Sequence, residues 1–446
     1  MKQIIFLLFT TVIFITAFGQ DKLEKLDELL KAYANQSRFN GSVLVIKDGK
    51  TILDKGYGFS NVNENQLNSP NTIFQVGSIT KQFTAAVILK LQEENKINLQ
   101  DQLSKYFPGY PNSDSITIEH LLTHTSGIYS YTNDKDFMSS KINMPHSREQ
   151  MLSLFKDKPL QFTPGTKWRY SNSGYLLLGY IIEDVTGLTY QQAIRNYIFI
   201  PLQMKNSGFD YTQLKNQKKA TGYFQLVDEM NTQAPSIDST ISFASGSIFS
   251  TTADLYKFQQ GMQSNSILSK STLETASTSF KNNYGYGFEI DSVAGKRIIG
   301  HSGSIHGFVS NLVWVPGENT VVILLNNVTS PHLGKITNNI ISLLYDQPYE
   351  VPVLKTTITL PEKKLEEYTG VYEIAPQFNL TISLVNGSLL GTPQGQESRK
   401  LFPEKEDQFF LKEVDGQFNF SRNDKNEITG VTLLQGGKGI TGKRKN

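Results

Sequence analysis

The chain has 446 residues, 38% hydrophobic and 19% charged, which is long for one domain, enough to bury a large core, and too apolar for disorder. A formal net charge of +2 gives no case for nucleic acid or an anionic membrane surface as partner. The absence of cysteine excludes a thiol nucleophile, a zinc–thiolate site and a lipid-modified N-terminal cysteine.

Lys2 and the apolar run Ile4 to Ile15, with small Ala17 and Gly19 ahead of Gln20, read as a signal peptide over residues 1–19. The run is too short for a spanning helix with ordinary flanks. The expectation is an exported protein, periplasmic or secreted, with no integral membrane segment after cleavage. Lys22 to Gln36 then predicts a helix with Leu23, Leu26, Leu29, Leu30 and Tyr33 on one face. Strands at Gly41 to Lys47 and Thr51 to Tyr57 flank the hairpin signal Asp48-Gly49.

The next stretch is Phe74-Gln-Val-Gly-Ser78-Ile-Thr-Lys81. A strand pattern (Thr72 to Val76) meets a glycine, a serine and a helical pattern that runs to about Glu94. Ser78 and Lys81 are three apart and stack on one helix face. In the first turn a serine meets unpaired N–H groups and the positive dipole end. A desolvated lysine can take the hydroxyl proton. A second copy of the spacing, Ser153-Leu-Phe-Lys156, sits in an amphipathic helix opened by the capping box Ser147-Arg-Glu-Gln150, and reads as solvated surface.

Thr117 to Thr123 predicts a short helix ending in His124-Thr-Ser-Gly127. Trp168 to Asn172 lead into an apolar helix, Ser173 to Thr186, stopped by Gly187. Thr189, Thr251 and Ser271 are expected to open three more helices. Tyr284 to Ile290, Arg297 to His301, Phe308 to Val315 and Thr320 to Asn326 read as successive strands, and Lys335 to Tyr345 as a closing helix. Strands bracketing a helical middle imply an α/β (α+β) domain, an antiparallel sheet with helices on its faces. Residues 347–359, with Pro348 and Pro352, read as a linker. Residues 360–446 change character, with short alternating strands (Gly370 to Glu373, Asn379 to Val385, Phe409 to Lys412, Gln417 to Ser421, Ile428 to Leu434) between glycine turns. They predict a small all-β, barrel-like module.

An acyl-transfer serine needs a proton acceptor, a donor for the leaving group and an oxyanion hole. A Ser–His–Asp hydrolase is disfavoured: Gly300-His-Ser302-Gly-Ser304 lacks the second glycine of the nucleophile elbow, and the strand order does not suit a parallel sheet. His120 and His124 have metal-ligand spacing but no glutamate between them and no evident third ligand. Tyr170-Ser-Asn172, on a turn before an apolar helix, offers a proton shuttle and an amide able to hold a substrate amide. A lysine cation nearby would draw the tyrosine pKa down. Tyr33-Ala-Asn35 and Tyr131-Thr-Asn133 share its spacing without its context. Gly300 to Ser304 ends a strand; Gly303 would let a substrate backbone approach, and the N–H groups of Ser78 and Ser304 would form the oxyanion hole. His301 would orient substrate or assist proton transfer.

In this order these elements resemble the serine β-lactamase-like hydrolases, which include penicillin-binding DD-peptidases, class C β-lactamases, D-aminopeptidases and carboxylesterases. The matching text includes Phe74 to Lys81, Ile118 to Gly127, Pro164-Gly165 with Tyr170 to Asn172, Pro201 to Met204, Gly246 to Asp254, Tyr284 to Gly287 and His301 to Gly303. The tail, with Tyr368 to Tyr372 and Leu401 to Pro403, is similar to the β-barrel domain often appended to such enzymes. The resemblance implies a hydrolase domain over residues 20–346 and a barrel over 360–446. It implies Ser78 as acylated nucleophile, Lys81 as proton acceptor or relay, Tyr170 as shuttle and Asn172 as substrate contact. His301 stands where the family carries the lysine of Lys-Thr-Gly, which favours a peptidase or esterase over an efficient β-lactamase. No cofactor or metal is implied, and the expected partner is a small-molecule or peptide substrate, not nucleic acid. The alternatives are a β-lactamase or a non-catalytic binder of penicillin or cell-wall fragments. The substrate-defining loops would be Ser130 to His146 and Thr212 to Ser239, which carry no readable code, and oligomeric state is not legible.

Overall fold

The computed structural model describes residues 21–445 other than 216, 229, 354 and 437. The expected leader, residues 1–19, lies outside them. The centre is a six-stranded antiparallel sheet of β1 (Gly41–Lys47), β2 (Lys50–Tyr57), β3 (Glu289–Val293), β4 (Lys296–Ile305), β5 (Phe308–Val315) and β6 (Thr320–Asn326). Its spatial order is β2-β1-β6-β5-β4-β3. The first hairpin therefore docks on the last strand, with Gly41 opposite Asn326.

Strand periodicity divides the core. Leu44 and Ile46 of β1, Leu312 and Trp314 of β5, and Ile323 and Leu325 of β6 face one cluster. Their neighbours Val43, Val45, Val313, Val315, Val322 and Leu324 face another. Such two-sided burial explains why these strands read as continuous apolar runs. Helices α1 (residues 21–34) and α5 (Leu333–Leu344) cover the second face, with Leu26, Leu29, Leu30 and Tyr33 of α1 buried in it. Helices α2 (Thr80–Glu93), α3 (Asn172–Thr186) and α4 (Ser239–Gly246) cover the first.

Three local expectations differ from the structure. Tyr284 to Phe288 are not strand: their backbone groups bond in turns and to the helix before them (Tyr286 N to Ala276 O, 2.8 Å; Gly285 N to Phe288 O, 2.9 Å), and β3 starts at Glu289. The strand before Ser78 is only Phe74–Gln75, paired with Phe249–Ser250 outside the main sheet. The helix Lys270–Ala276 is capped by Ser269, two residues ahead of the expected box.

The C-terminal part is a closed eight-stranded barrel of β7 (Gly370–Ala375), β8 (Phe378–Val385), β9 (Ser388–Pro393), β10 (Arg399–Lys405), β11 (Gln408–Phe410), β12 (Gly416–Arg422), β13 (Ile428–Gln435) and β14 (Lys438–Arg444). Strands β9, β10 and β14 are additions to the sequence reading. Prolines in β9 and β10 and glycines in β14 dilute their alternation. Closure comes from β14 returning to β7, with Arg444 opposite Tyr372.

The barrel meets the rest of the molecule beside α1, where Arg38 pairs with Asp415 at 2.9 Å, and at the hairpin Tyr223–Val227 and Met230–Gln233. Val227 is buried with Phe402 and Phe410, and Gln225 Nε2 donates to Glu413 Oε1 at 3.0 Å. Among the described residues no helix is long and apolar enough to cross a membrane.

Candidate active site

Ser78 lies in a one-turn 3-10 helix, Gly77–Ile79, that runs directly into α2. Gly77 is left-handed, with φ +51, and a Cβ there would stand 2.8 Å from Ser304 N and 2.9 Å from Ser304 O. From the other side, a Cβ on Gly303 would stand 2.1 Å from Val76 O. Both glycines let the end of β4 lie against the backbone of the Ser78 turn. The space beside Gly303 is thus taken by the chain's own backbone and by Ser310, whose hydroxyl donates to Val76 O at 2.8 Å.

Lys81 is fully buried one turn along α2. Its Nζ is 3.0 Å from Ser78 Oγ, 2.7 Å from Asn172 Oδ1 and 2.8 Å from Ser245 O. Burial pushes the amine well below the usual lysine range, against an opposing pull from the Glu289 carboxylate. Asn172 opens α3 and is held in place, its Nδ2 donating to Thr132 Oγ1 at 3.1 Å and its N–H to Ser130 Oγ at 3.1 Å. Its amide is therefore engaged on both sides by the protein.

The Tyr170 ring is half-buried, with Lys81 Nζ 4.7 Å from its centroid. Desolvation raises its pKa well above the ordinary phenol value, and the Ser78 side chain works the other way. The sequence reading had a lysine cation drawing it down. Loss of water around the phenol favours its neutral form and outweighs the opposing contributions.

His124, left to local packing on sequence grounds, supports this segment. Its carbonyl accepts from Arg169 N–H at 3.0 Å, its Nδ1 accepts from Ser171 N–H at 3.1 Å, and its ring lies 4.2 Å from that of Tyr170. It adopts a left-handed φ of 58 and is held neutral by burial. The signal available in the sequence was a histidine at a helix end before Thr-Ser-Gly. His120 is elsewhere in function: its Nδ1 accepts from Thr117 N–H and completes a helix cap.

His301 is 1% exposed and stands behind the cleft wall. Its Nδ1 donates to Ser302 O, which leaves Nε2 to accept from Tyr284 OH at 2.9 Å. Burial lowers its pKa; the Glu289 carboxylate opposes the shift and Lys81 adds to it. Glu289 was not singled out in the sequence. Its carboxylate accepts from Ser302 N–H at 3.0 Å and Ser302 Oγ at 2.9 Å, and lies 3.6 Å from His301 Nδ1.

Two clefts flank the Ser78–Tyr170 pair. One, of about 330 Å³, is lined by Ser78, Asn172 and Ser304 together with Tyr131, Thr132, Met138, Phe224, Ile237 and His306. The loops expected to shape substrate choice do line it, and Tyr131-Thr-Asn133, set aside as a decoy, contributes two residues. The other, of about 490 Å³, is lined by Tyr170, Trp168, Tyr284, Glu289, Asp291 and Ser302. A larger cavity, about 620 Å³, lies at the seam of α1 with the barrel and touches none of these groups.

Residues 26–345 match the profile of the beta-lactamase family, and residues 354–443 that of a domain of unknown function, DUF3471. Over 429 residues the chain is 27% identical to penicillin-binding protein 4* of Bacillus subtilis strain 168, spanning 90% of this chain and 94% of that one. The octameric penicillin-binding protein homologue from Pyrococcus abyssi superposes with a TM-score of 0.65 at 27% identity, covering 94% of this chain and 99% of the other. A D-stereospecific amidohydrolase from Streptomyces sp. does so with a TM-score of 0.59 at 27% identity, covering 68% and 93%.

Proposed function

This chain belongs to the beta-lactamase family of serine hydrolases, and we propose that it cleaves an ester or amide, a D-amino-acid peptide among the candidates, through a Ser78 acyl-enzyme. The observation that carries the reading is the environment of Lys81. Asn172 Oδ1 and Ser245 O are obligate acceptors and occupy the two N–H bonds of a neutral amine. The remaining lone pair is then free for the Ser78 hydroxyl, 3.0 Å away.

The same desolvation that lowers Lys81 raises Tyr170, so Lys81 is the base and Tyr170 the neutral proton donor. Lys81 Nζ takes the Ser78 proton as Oγ attacks the carbonyl carbon. The N–H groups of Ser78 and Ser304 face the developing oxyanion, each worth on the order of 100- to 1000-fold in rate. Tyr170 passes its proton to the leaving group and is recharged from Lys81. Water then repeats the sequence to release the acid. His301 positions Tyr284 and the strand end in this scheme and does not touch substrate.

A β-lactamase reading is weaker, because His301 is neutral and buried and supplies no charge for a substrate carboxylate. Export rests on the leader pattern of residues 1–19, and the catalytic unit is assigned to residues 20–346. The test is labelling with a fluorophosphonate alongside p-nitrophenyl acetate hydrolysis. Wild type is expected to label at Ser78 and turn over, and Ser78→Ala to do neither. Unlabelled wild type leaves the non-catalytic binder as the answer, and equal labelling of Ser78→Ala removes Ser78 as the nucleophile.

A further inference from the structure

The cleft beside Tyr170 has a composition that the reaction scheme does not require. Trp168, Tyr170 and Tyr284 line it, with Trp168 and Tyr284 centroids 6.1 Å apart. Two carboxylates, Glu289 and Asp291, share the same walls, and no lysine or arginine lines it among the described residues. Glu289 is not a loose surface acid. Ser302 fixes both of its oxygens, yet its side chain stays 45% exposed.

Aromatic side chains and a carboxylate lining one cavity supply the two attractions that select an organic cation. We propose that this cleft is a subsite for an ammonium group, so that preferred substrates carry a positive charge on the leaving-group side. The proposal rests on the Ser78–Tyr170 reading only for that assignment of side: Tyr170 protonates the leaving group, so the cleft it borders receives it. Glu289 also faces Lys81, Tyr170 and His301 electrostatically, and it acts on all three as a negative charge. Anionic leaving groups, including peptides that end in a free carboxylate, meet repulsion in the same place.

The experiment uses three butyrate esters of similar size: butyrylcholine, its neutral isostere 3,3-dimethylbutyl butyrate, and the butyrate ester of 4-hydroxybutyrate. The expected order of kcat/KM is cation, neutral, anion, with steps of roughly three- to tenfold at low salt. Glu289→Gln is expected to bring the cation-to-neutral ratio close to one, and Trp168→Leu to lower it independently. A neutral ester that equals the cationic one, or a ratio untouched by both variants, overturns the proposal.

Binding separates this from failure of the hydrolase reading. The chain has two tryptophans, and Trp314 is buried in the core, so quenching reports Trp168. Choline added to the full-length Ser78→Ala protein is expected to quench saturably, and 3,3-dimethylbutanol not to. Choline quenching without hydrolysis of any ester keeps the cation subsite and removes the enzyme. Hydrolysis without choline quenching does the reverse.

Discussion

At the scale of single residues, the proposed mechanism turns on Lys81, whose pKa burial lowers. Lys81 has only uncharged hydrogen-bond neighbours, and Glu289 is the group that pulls its pKa back up. In that mechanism activity is expected to rise with pH as Lys81 loses its proton. Removing Glu289 removes a charge that holds that proton. The acid limb of kcat/KM for a neutral ester is expected to move to lower pH in Glu289→Gln, measured against wild type at constant ionic strength. A shift to higher pH would show that Lys81 does not set the limb. The Ser78, Lys81 and Tyr170 trio was visible in the sequence because spacing on a helix start and a turn before a helix are local signals. His124 and Glu289 were not, because their partners lie 47 and 13 positions away, at Ser171 and Ser302.

At the scale of elements, the decisive contact is between the Ser78 turn and the end of β4. Gly77 and Gly303 close it from both sides: a Cβ on Gly77 would meet the backbone of Ser304, and one on Gly303 the backbone of Val76 and the Ser310 hydroxyl that is bonded to it. Gly303→Ala is expected to push Ser304 N–H out of line and cost about 100-fold or more in kcat, the worth of one oxyanion donor. Overpacking should lower stability by about 1–3 kcal/mol. Steady-state kinetics with a thermal melt separates the two, and an unchanged kcat in a folded variant would remove Ser304 from the site. The sequence showed Gly303 as a small residue at a strand end and suggested room for substrate. Only the packed structure shows that a second segment of the same chain fills that room.

At the scale of the whole molecule, the barrel is coupled to the cleft through one hairpin. In Tyr223–Val227 alternate residues face opposite ways. Gln225 and Val227 meet Glu413, Phe402 and Phe410 of the barrel side, and Phe224 lines the cleft with its ring 5.4 Å from that of His306. Asp228 at the turn adds an ion pair with Lys412 at 3.1 Å. Burying an aspartate at the Val227 position loosens this seam without touching the Ser78 group. In Val227→Asp, KM for long-chain acyl esters is expected to rise severalfold, while labelling of Ser78 by a small fluorophosphonate stays within about twofold. Equal effects on long and short acyl groups would mean that the barrel does not shape the cleft.

The sequence by itself determined the strands β1, β2, β5 and β6 of the sheet, the amphipathic face of α1, the capped helices, and the serine–lysine pair at a helix start. All of these follow from periodicity and short-range backbone chemistry, which residues a few positions apart specify on their own. The tertiary structure alone decided the rest. It closed the barrel by bringing β14 back to β7, since closure depends on pairing between distant strands. It turned His301 inward, because Tyr284 and the Ser302 carbonyl claim both ring nitrogens. It also placed Glu289 beside Trp168 and Tyr170, where desolvation and charge become properties of a shared cavity and no longer of any one stretch of chain.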